Sequence, residues 1–590
     1  MNPKNNYKLN RGEKAEETSL PATLKKMWAL IESEKRRVLL AFVAILTNSG
    51  LLLTGPYLVG YAITHYIIRP DYHMVLVFSG ILLGVYSLAF VAQYLQVKTM
   101  GTVGQNVLWK LRNDVFQKLQ SLPLAFFNQN KTGDLISRIN NDTDKLNQFF
   151  SQALMQFVGT IFMVTGAGIF LLVINFRLAV AVLLPAVLLL LFTRISSGWI
   201  KSQNLKNLQS TGGMSSEIQE SLANFKVIIA FNRRDYFRQK FSEANEKNYR
   251  SAIASGIANG ILSPIFDFAS NVAQLIFLGY GIYLISTGAL AIGFFVSFLT
   301  YINRFYDPLR QLANLWATFQ AALAGWDRIG EILRLESDLA ILPPGAEKQK
   351  DAPLLEFKDV SFGYPDGNLI INNISFALEA GKTYALVGPT GGGKTTTASL
   401  MARLYDPTEG TIFLEGRDIR GYEPTERTKK IGFILQEPFL FNGTVRENIL
   451  YGNEEYANLD SKALEEMFAK ADLGKLLSRF TKGLDTEVKS SGDATSLGQR
   501  QLIAFMRALI RRPDLLILDE ATANIDTVTE ALLQEIINKL PKETTKVIIA
   551  HRLNTIENAD HIFFVNGGTI TPAGSFEHAI EMLLHGKRKS

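Results

Sequence analysis

Cysteine is absent from all 590 residues, which excludes disulfides, thiolate zinc sites, cysteine-held iron–sulfur clusters and any thiol nucleophile. Charge is also scarce: Asp, Glu, Lys and Arg make up 20% of the chain against 47% hydrophobic residues, too apolar a balance for several ordinary soluble domains in a row. The first twenty residues, MNPKNNYKLNRGEKAEETSL, lack the apolar core of a secretory signal, so no cleaved leader is expected and residues 1–22 read as a flexible tail. What charge there is leaves a net +6, which suits nucleic acid, anionic lipid or the cytoplasmic side of a membrane protein. Only the placement of the basic residues can choose among these.

The apolar residues are concentrated in the first half. Six long runs, at about 38–63, 74–97, 152–175, 178–197, 256–286 and 289–312, approach or exceed the roughly 20 helical residues that cross a bilayer core of about 30 Å. Before them, TLKKMWALIESEKRR sets Met27, Trp28, Leu30 and Ile31 against lysines and arginines, as in a helix lying at the membrane interface. Seven Lys/Arg fall in 98–151 and ten in 194–250, while the opposite loops hold Arg69 and Arg177. By the positive-inside rule both long loops and both termini are cytoplasmic, and the basic excess needs no nucleic acid. The loops keep helical apolar spacing and so continue the helices beyond the bilayer, with aromatic-rich tips at 122–138 and 228–239 that suit docking another domain. Asp267 and Arg304 are ionisable residues inside the spans, and Pro56 and Pro185 are expected to kink theirs. Phe162, Phe170, Phe266, Phe294, Phe298 and Phe305 are candidate pocket aromatics, although such residues more often face lipid or pack helices.

The second half reads differently. After a Pro-containing linker at 336–353, the runs LEFKDVSFGY, TIFLEG, KIGFILQ, LLILDEA and KVIIAHR alternate with helical segments, as in a largely parallel α/β sheet. The domains expected are therefore 23–335 for an all-α membrane domain and 354–590 for an α/β domain. In TYALVGPTGGGKTTTASLMARLY a strand, a glycine-rich turn and a helix match G-x-x-x-x-G-K-[ST] from Gly388 through Pro389, Thr390, Gly391, Gly392, Gly393 and Lys394 to Thr395, with Thr396 following. Glycines let backbone amides wrap a phosphate chain, the lysine reaches the β- and γ-phosphates, and Thr395 offers its hydroxyl to Mg²⁺. LLILDEA is an apolar strand ending in two carboxylates: Asp519 suits the Mg²⁺ ion, and Glu520 suits polarising the attacking water. His551, ending another strand, suits orienting that water.

Taken together, the six spans and these motifs resemble an ATP-binding-cassette (ABC) exporter half-transporter, over residues 23–585. The resemblance implies a type I exporter bundle followed by a P-loop ATPase domain, in the plasma (bacterial inner) membrane. It also implies roles for Tyr364 in SFGYPDG as the adenine-stacking aromatic, Gln436 in FILQEPFLF as the Q-loop glutamine near Mg²⁺, Asp526 in TANIDT as the D-loop aspartate, and the two tips as coupling helices.

One motif departs from the family. Where the signature loop reads L-S-G-G-Q, this chain has Thr495, Ser496, Leu497, Gly498 and Gln499, and EVKSSGDA before it lacks the usual G-E-R-G. In the family this loop closes over the ATP held by the opposite domain, so a leucine at the first of its two glycines obstructs close backbone approach. A complete hydrolytic set beside an altered signature implies a heterodimer with a second, different half-transporter, one site competent and one degenerate. The expected cargo is a small amphipathic drug, lipid or peptide. A homodimeric exporter and an ATP-gated channel or regulatory membrane protein are the alternatives.

Overall fold

The computed structural model describes residues 7–9, 30–68, 71–337, 339, 341–342, 352–364, 367–436, 438–453, 455–457, 459–470, 474–489, 495–519, 527–549 and 557–585. The chain divides into two compact units, one comprising Asn10–Lys118 and Gly133–Leu333, the other Met1–Leu9, Leu119–Thr132 and Arg334–Ser590.

The first unit is helical. Its long helices are Lys35–Ala62, Tyr72–Gln120, Leu154–Ile174, Phe176–Ala223, Arg234–Gly260 running on through Leu262–Ser286, and Ile292–Arg334. At 1.5 Å per residue the 49 residues of Tyr72–Gln120 extend about 74 Å, far beyond a bilayer core, so the long loops do continue the spans as helix. Side chains such as Leu76, Leu83, Leu88 and Phe90 on this helix are exposed, as a lipid-facing surface requires. Among the described residues five helical stretches are long and apolar enough to cross a membrane. Ile292–Arg334 is not one of them, because Asn303, Arg304, Asp307 and Arg310 interrupt its apolar run.

Those polar groups are used within the bundle. Pro56 has no amide hydrogen, which leaves the Leu52 carbonyl one turn earlier without its helical donor. Arg304 Nη1 donates to that carbonyl at 2.6 Å, and the Ser297 hydroxyl donates to the Pro56 carbonyl at 2.6 Å. Tyr301 donates to the carbonyl of Leu53, and Tyr306 to that of Val182, near Pro185 in the fourth helix. The same face brings Gly60 and Gly293 together so closely that a Cβ on Gly293 would collide with the Gly60 carbonyl. Helix-to-helix contact there is backbone against backbone, the arrangement small residues allow in a membrane. Asp267 accepts from Arg310 at 3.3 Å on a half-exposed surface. Phe266, Phe277 and Phe298 are buried in the helix-packing core, whereas Phe162 is exposed.

Following Thr132 the chain forms alternating α and π turns up to Ala153. Arg138, fully buried, donates to Glu331 (2.7 Å), Asp134 (3.0 Å) and the Arg328 carbonyl (2.8 Å), and Arg328 in turn reaches Asp134 at 2.7 Å. A buried arginine is tolerated only when its donors are satisfied in this way.

In the second unit the strands are β1 (Leu355–Gly363), β2 (Leu369–Leu378), β3 (Thr383–Val387), β4 (Glu409–Leu414), β5 (Arg417–Asp418), β6 (Ile431–Ile434), β7 (Gly443–Thr444), β8 (Glu487–Val488), β9 (Leu515–Asp519), β10 (Thr545–Ile549), β11 (His561–Asn566) and β12 (Thr569–Pro572). Six form a sheet of order β12-β11-β3-β10-β9-β6, parallel except for the edge strand β12. β3, β9 and β10 are nearly wholly buried, which explains their unbroken apolar runs. The runs LEFKDVSFGY and TIFLEG, expected in the parallel sheet, instead join a separate antiparallel sheet of order β2-β1-β4-β5. Their alternating pattern fits a sheet with one face toward solvent. A second apolar cluster gathers Val445, Ile449, Leu464, Phe468, Leu502, Phe505 and Met506 around the helix Leu497–Leu509.

Two of the sequence boundaries need correction. Residues 7–9, expected in a flexible tail, are docked: Tyr7 is 5% and Leu9 4% exposed. The tip helix Leu124–Gln129 belongs to the unit that holds the sheets, and not to the helical unit on either side of it in sequence.

Candidate nucleotide site

The glycine-rich turn follows directly from β3, in the interior of the parallel sheet, and opens the helix Lys394–Met401. Gly388 and Gly393 take φ of +149° and +111°, a region side chains disfavour, and a Cβ on Gly388 would collide with the Val565 carbonyl of β11. The turn is thereby restricted to glycine for two reasons, conformation and space. Gly392 is buried, and Pro389, Thr390 and Gly391 lie toward its open side. Lys394 is buried at the helix start, with Nζ donating to the carbonyls of Gly388 (2.9 Å) and Pro389 (3.0 Å). A lysine that spans the turn in this way places a positive charge at its centre, next to the partial positive charge of a helix N-terminus. Thr396 is buried behind it.

Parallel register brings the neighbouring strand ends to the same level. Leu386 of β3 pairs with Ile549 of β10, and Ile549 pairs with Asp519 of β9. Asp519 is buried, and the Thr395 hydroxyl donates to its Oδ1 at 3.3 Å. A hydroxyl and a carboxylate this close can share one small divalent cation, so the donor set fits Mg²⁺ with its preference for few protein oxygens beside phosphate oxygens. Glu520, Asp526 and His551 lie outside the described residues; in sequence they follow the ends of β9 and β10. Gln436 is exposed just after β6, on the other side of β9.

Tyr364 directly follows β1 and is half-buried, its ring edge-on to Tyr405 at 5.4 Å and to Phe362 at 5.1 Å. Tyr405 is a residue the sequence reading missed. Burial pushes its phenol up, and Tyr364 adds to the shift, so the group stays neutral and accepts from Asn128 Nδ2 of the tip helix at 2.7 Å. No motif marks Asn128, since its partner is 277 positions away.

In the signature segment Ser496 caps the helix Leu497–Leu509: its hydroxyl oxygen accepts from the Gln499 amide at 3.2 Å while Gln499 Oε1 accepts from the Ser496 amide at 3.1 Å. Gln499 also donates to the Arg479 carbonyl at 2.9 Å. An accepting hydroxyl keeps its own proton to donate outward. Leu497 is the first helical residue and half-buried; Gly498 and Thr495 are buried.

A membrane bundle followed by a P-loop sheet defines a membrane transporter driven by ATP. The chain belongs to the ABC transporter family: residues 38–309 match the ABC transporter transmembrane region and residues 371–523 the ABC transporter family proper. It binds ATP and couples its hydrolysis to transport. Among its relatives is YfiC, an uncharacterized ABC transporter ATP-binding protein of Bacillus subtilis (strain 168), 33% identical over 96% of this chain and 93% of the relative. A fatty acid ABC transporter ATP-binding/permease protein of Mycobacterium bovis is 33% identical over 84% and 77%. A multidrug resistance ABC transporter ATP-binding and permease protein of Lactococcus lactis subsp. cremoris is 31% identical over 82% and 81%.

Proposed function

We propose that this chain is one half of a heterodimeric exporter that moves amphipathic drugs, lipids or peptides out across the bacterial inner membrane, with both termini and the ATPase domain cytoplasmic. Relatives that carry fatty acids or confer multidrug resistance support an amphipathic cargo. The observation that carries the heterodimer is Leu497 at the first position of its helix, where an isobutyl group stands at the surface meant to approach a partner's ATP. The ATP this chain holds would meet Gly388–Thr396 and Lys394, with Tyr364 on the adenine. Mg²⁺ would be held by Thr395 and Asp519, with Gln436 assigned to it by the motif alone, and would neutralise charge on the phosphates. Glu520 polarises the water, His551 orients it, and Asp526 belongs to the contact with the partner domain.

The second tip fits this arrangement. Phe225, Val227, Ile229 and Phe231 are exposed around buried Ile228, an apolar end suited to seating in a partner chain. In the ATPase unit Phe439, Phe441, Tyr451, Arg507 and Arg511 wall an open groove of about 250 Å³. ATP binding across the interface favours the outward-facing state, and hydrolysis at the competent site resets it.

The decisive experiment is ATPase activity of the purified chain alone and with a candidate partner chain. The pair should hydrolyse ATP and the lone chain only slowly; full activity from the lone chain sinks the heterodimer. Glu520→Gln in the pair should abolish steady-state turnover while leaving ATP-driven closure.

A further inference from the structure

The N-terminal residues that the sequence assigned to a loose tail make a specific set of contacts. The Tyr7 amide donates to Gln129 Oε1 at 2.8 Å. Asn130 acts at two points, its Oδ1 accepting from the Leu9 amide at 3.0 Å and its Nδ2 donating to the Tyr7 carbonyl at 2.9 Å. One side-chain amide thus reads the backbone of residues 7 and 9 as a neighbouring strand would, and a second fixes the start. The Tyr7 ring stands edge-on to fully buried Phe126 at 6.5 Å. Three residues bonded to one six-residue helix order both, since that short helix has too few internal bonds to hold itself.

From the same helix Asn128 reaches Tyr405, and Tyr405 packs edge-on against Tyr364. We propose that Tyr7–Leu9 is a clamp that fixes the first tip helix, and through the Asn128–Tyr405 bond holds Tyr364 where adenine stacks, making Tyr7, Asn128 and Tyr405 positioning residues for nucleotide binding. The proposal rests on the assignment of Tyr364 to adenine made above. It gives the tip helix an occupant of its own, an N-terminal peptide whose docking sets the affinity for ATP. Losing the clamp leaves the P-loop and its carboxylates untouched, so KM for ATP moves and kcat does not.

The test uses the assembled transporter in liposomes, with ATPase followed against ATP concentration. Tyr7→Ala, which removes the ring packed on Phe126, and Tyr405→Phe, which removes the hydroxyl that accepts from Asn128, should each raise KM for ATP by about fivefold, with kcat within about twofold of the parent. Because they act through one relay, the double variant should shift KM no further than Tyr405→Phe alone. Deletion of residues 2–9 should match Tyr7→Ala, and a synthetic peptide of residues 1–12 at about millimolar concentration, the effective concentration of a tethered segment, should restore the parent KM while its Tyr7→Ala form does not. An unchanged KM in Tyr7→Ala, additive shifts, or an equal fall in kcat overturns the clamp. Tyr364→Ala separates the two readings: if it raises KM while Tyr7→Ala has no effect, the adenine assignment stands and the clamp falls; if Tyr364→Ala leaves KM unchanged, both fall.

Discussion

At the scale of single residues the chain is decided by a few positions where one atom type cannot be replaced. Gly388 is one, because both its φ and the Val565 carbonyl forbid a side chain. Leu497 is another, for the opposite reason: it adds atoms where the family has none. If its bulk is what silences the surface offered to a partner's ATP, removing it should restore that surface without touching the site that hydrolyses. Leu497→Gly in the lone chain should therefore raise its ATPase rate about tenfold, equivalent to roughly 1.4 kcal/mol in the barrier, despite the helix-propensity cost of a glycine at the first turn. A rate unchanged in properly folded Leu497→Gly chain would assign the slow turnover elsewhere. The strand, glycine-rich turn and helix from Thr383 to Met401 were legible in sequence because they are contiguous and the turn's backbone restricts its residue types. Tyr405 and Asn128 were not, since an isolated tyrosine and an isolated asparagine 277 positions apart carry no periodicity and no spacing that sequence can register.

At the scale of elements, prolines and charges explain one another. Pro56 and Arg304 were read separately, one as a kink and one as an intramembrane charge. The structure pairs them, because the carbonyl that Pro56 leaves without a donor is the one Arg304 takes. That pairing sets a double-mutant cycle. Arg304→Met should cost about 1–3 kcal/mol where Pro56 is present, the penalty of a buried carbonyl left bare, and distinctly less in a Pro56→Ala background where a backbone amide can return. Thermal unfolding of the detergent-solubilised transporter measures both, and equal costs in the two backgrounds would break the link. The strand runs were recognisable as strands, but not by sheet: alternation in β1 and β4 signals a half-exposed antiparallel sheet, and only pairing shows which strands share it. The sixth long helix, legible as the apolar run at 289–312, hides its polar residues' use, since Arg304 finds its acceptor only on a neighbouring helix.

At the scale of the whole molecule, hydrophobic and polar halves were evident from composition, and the family matches follow the same division. What composition concealed is that the division by contact does not follow the order of the chain: Met1–Leu9 and Leu119–Thr132 belong with the ATPase unit. Interleaving of this kind is invisible to any reading that proceeds residue by residue, since it depends on side-chain amides such as Asn130 meeting a backbone more than a hundred positions away. The glycine contact between the first and sixth long helices has a consequence of its own kind. Two backbones touching at Gly60 and Gly293, bridged nearby by Ser297 and Arg304, have no flexible side chains between them to absorb a change of angle. They form a single strut, and in the proposed alternation between two openings that strut should rotate as one piece while its other neighbours shear past it. The absence of native cysteine makes the point measurable: spin labels on cysteines placed at Thr54 and Val296 should report one unchanging distance through the ATP cycle. A distance that switches with nucleotide would mean that the strut comes apart.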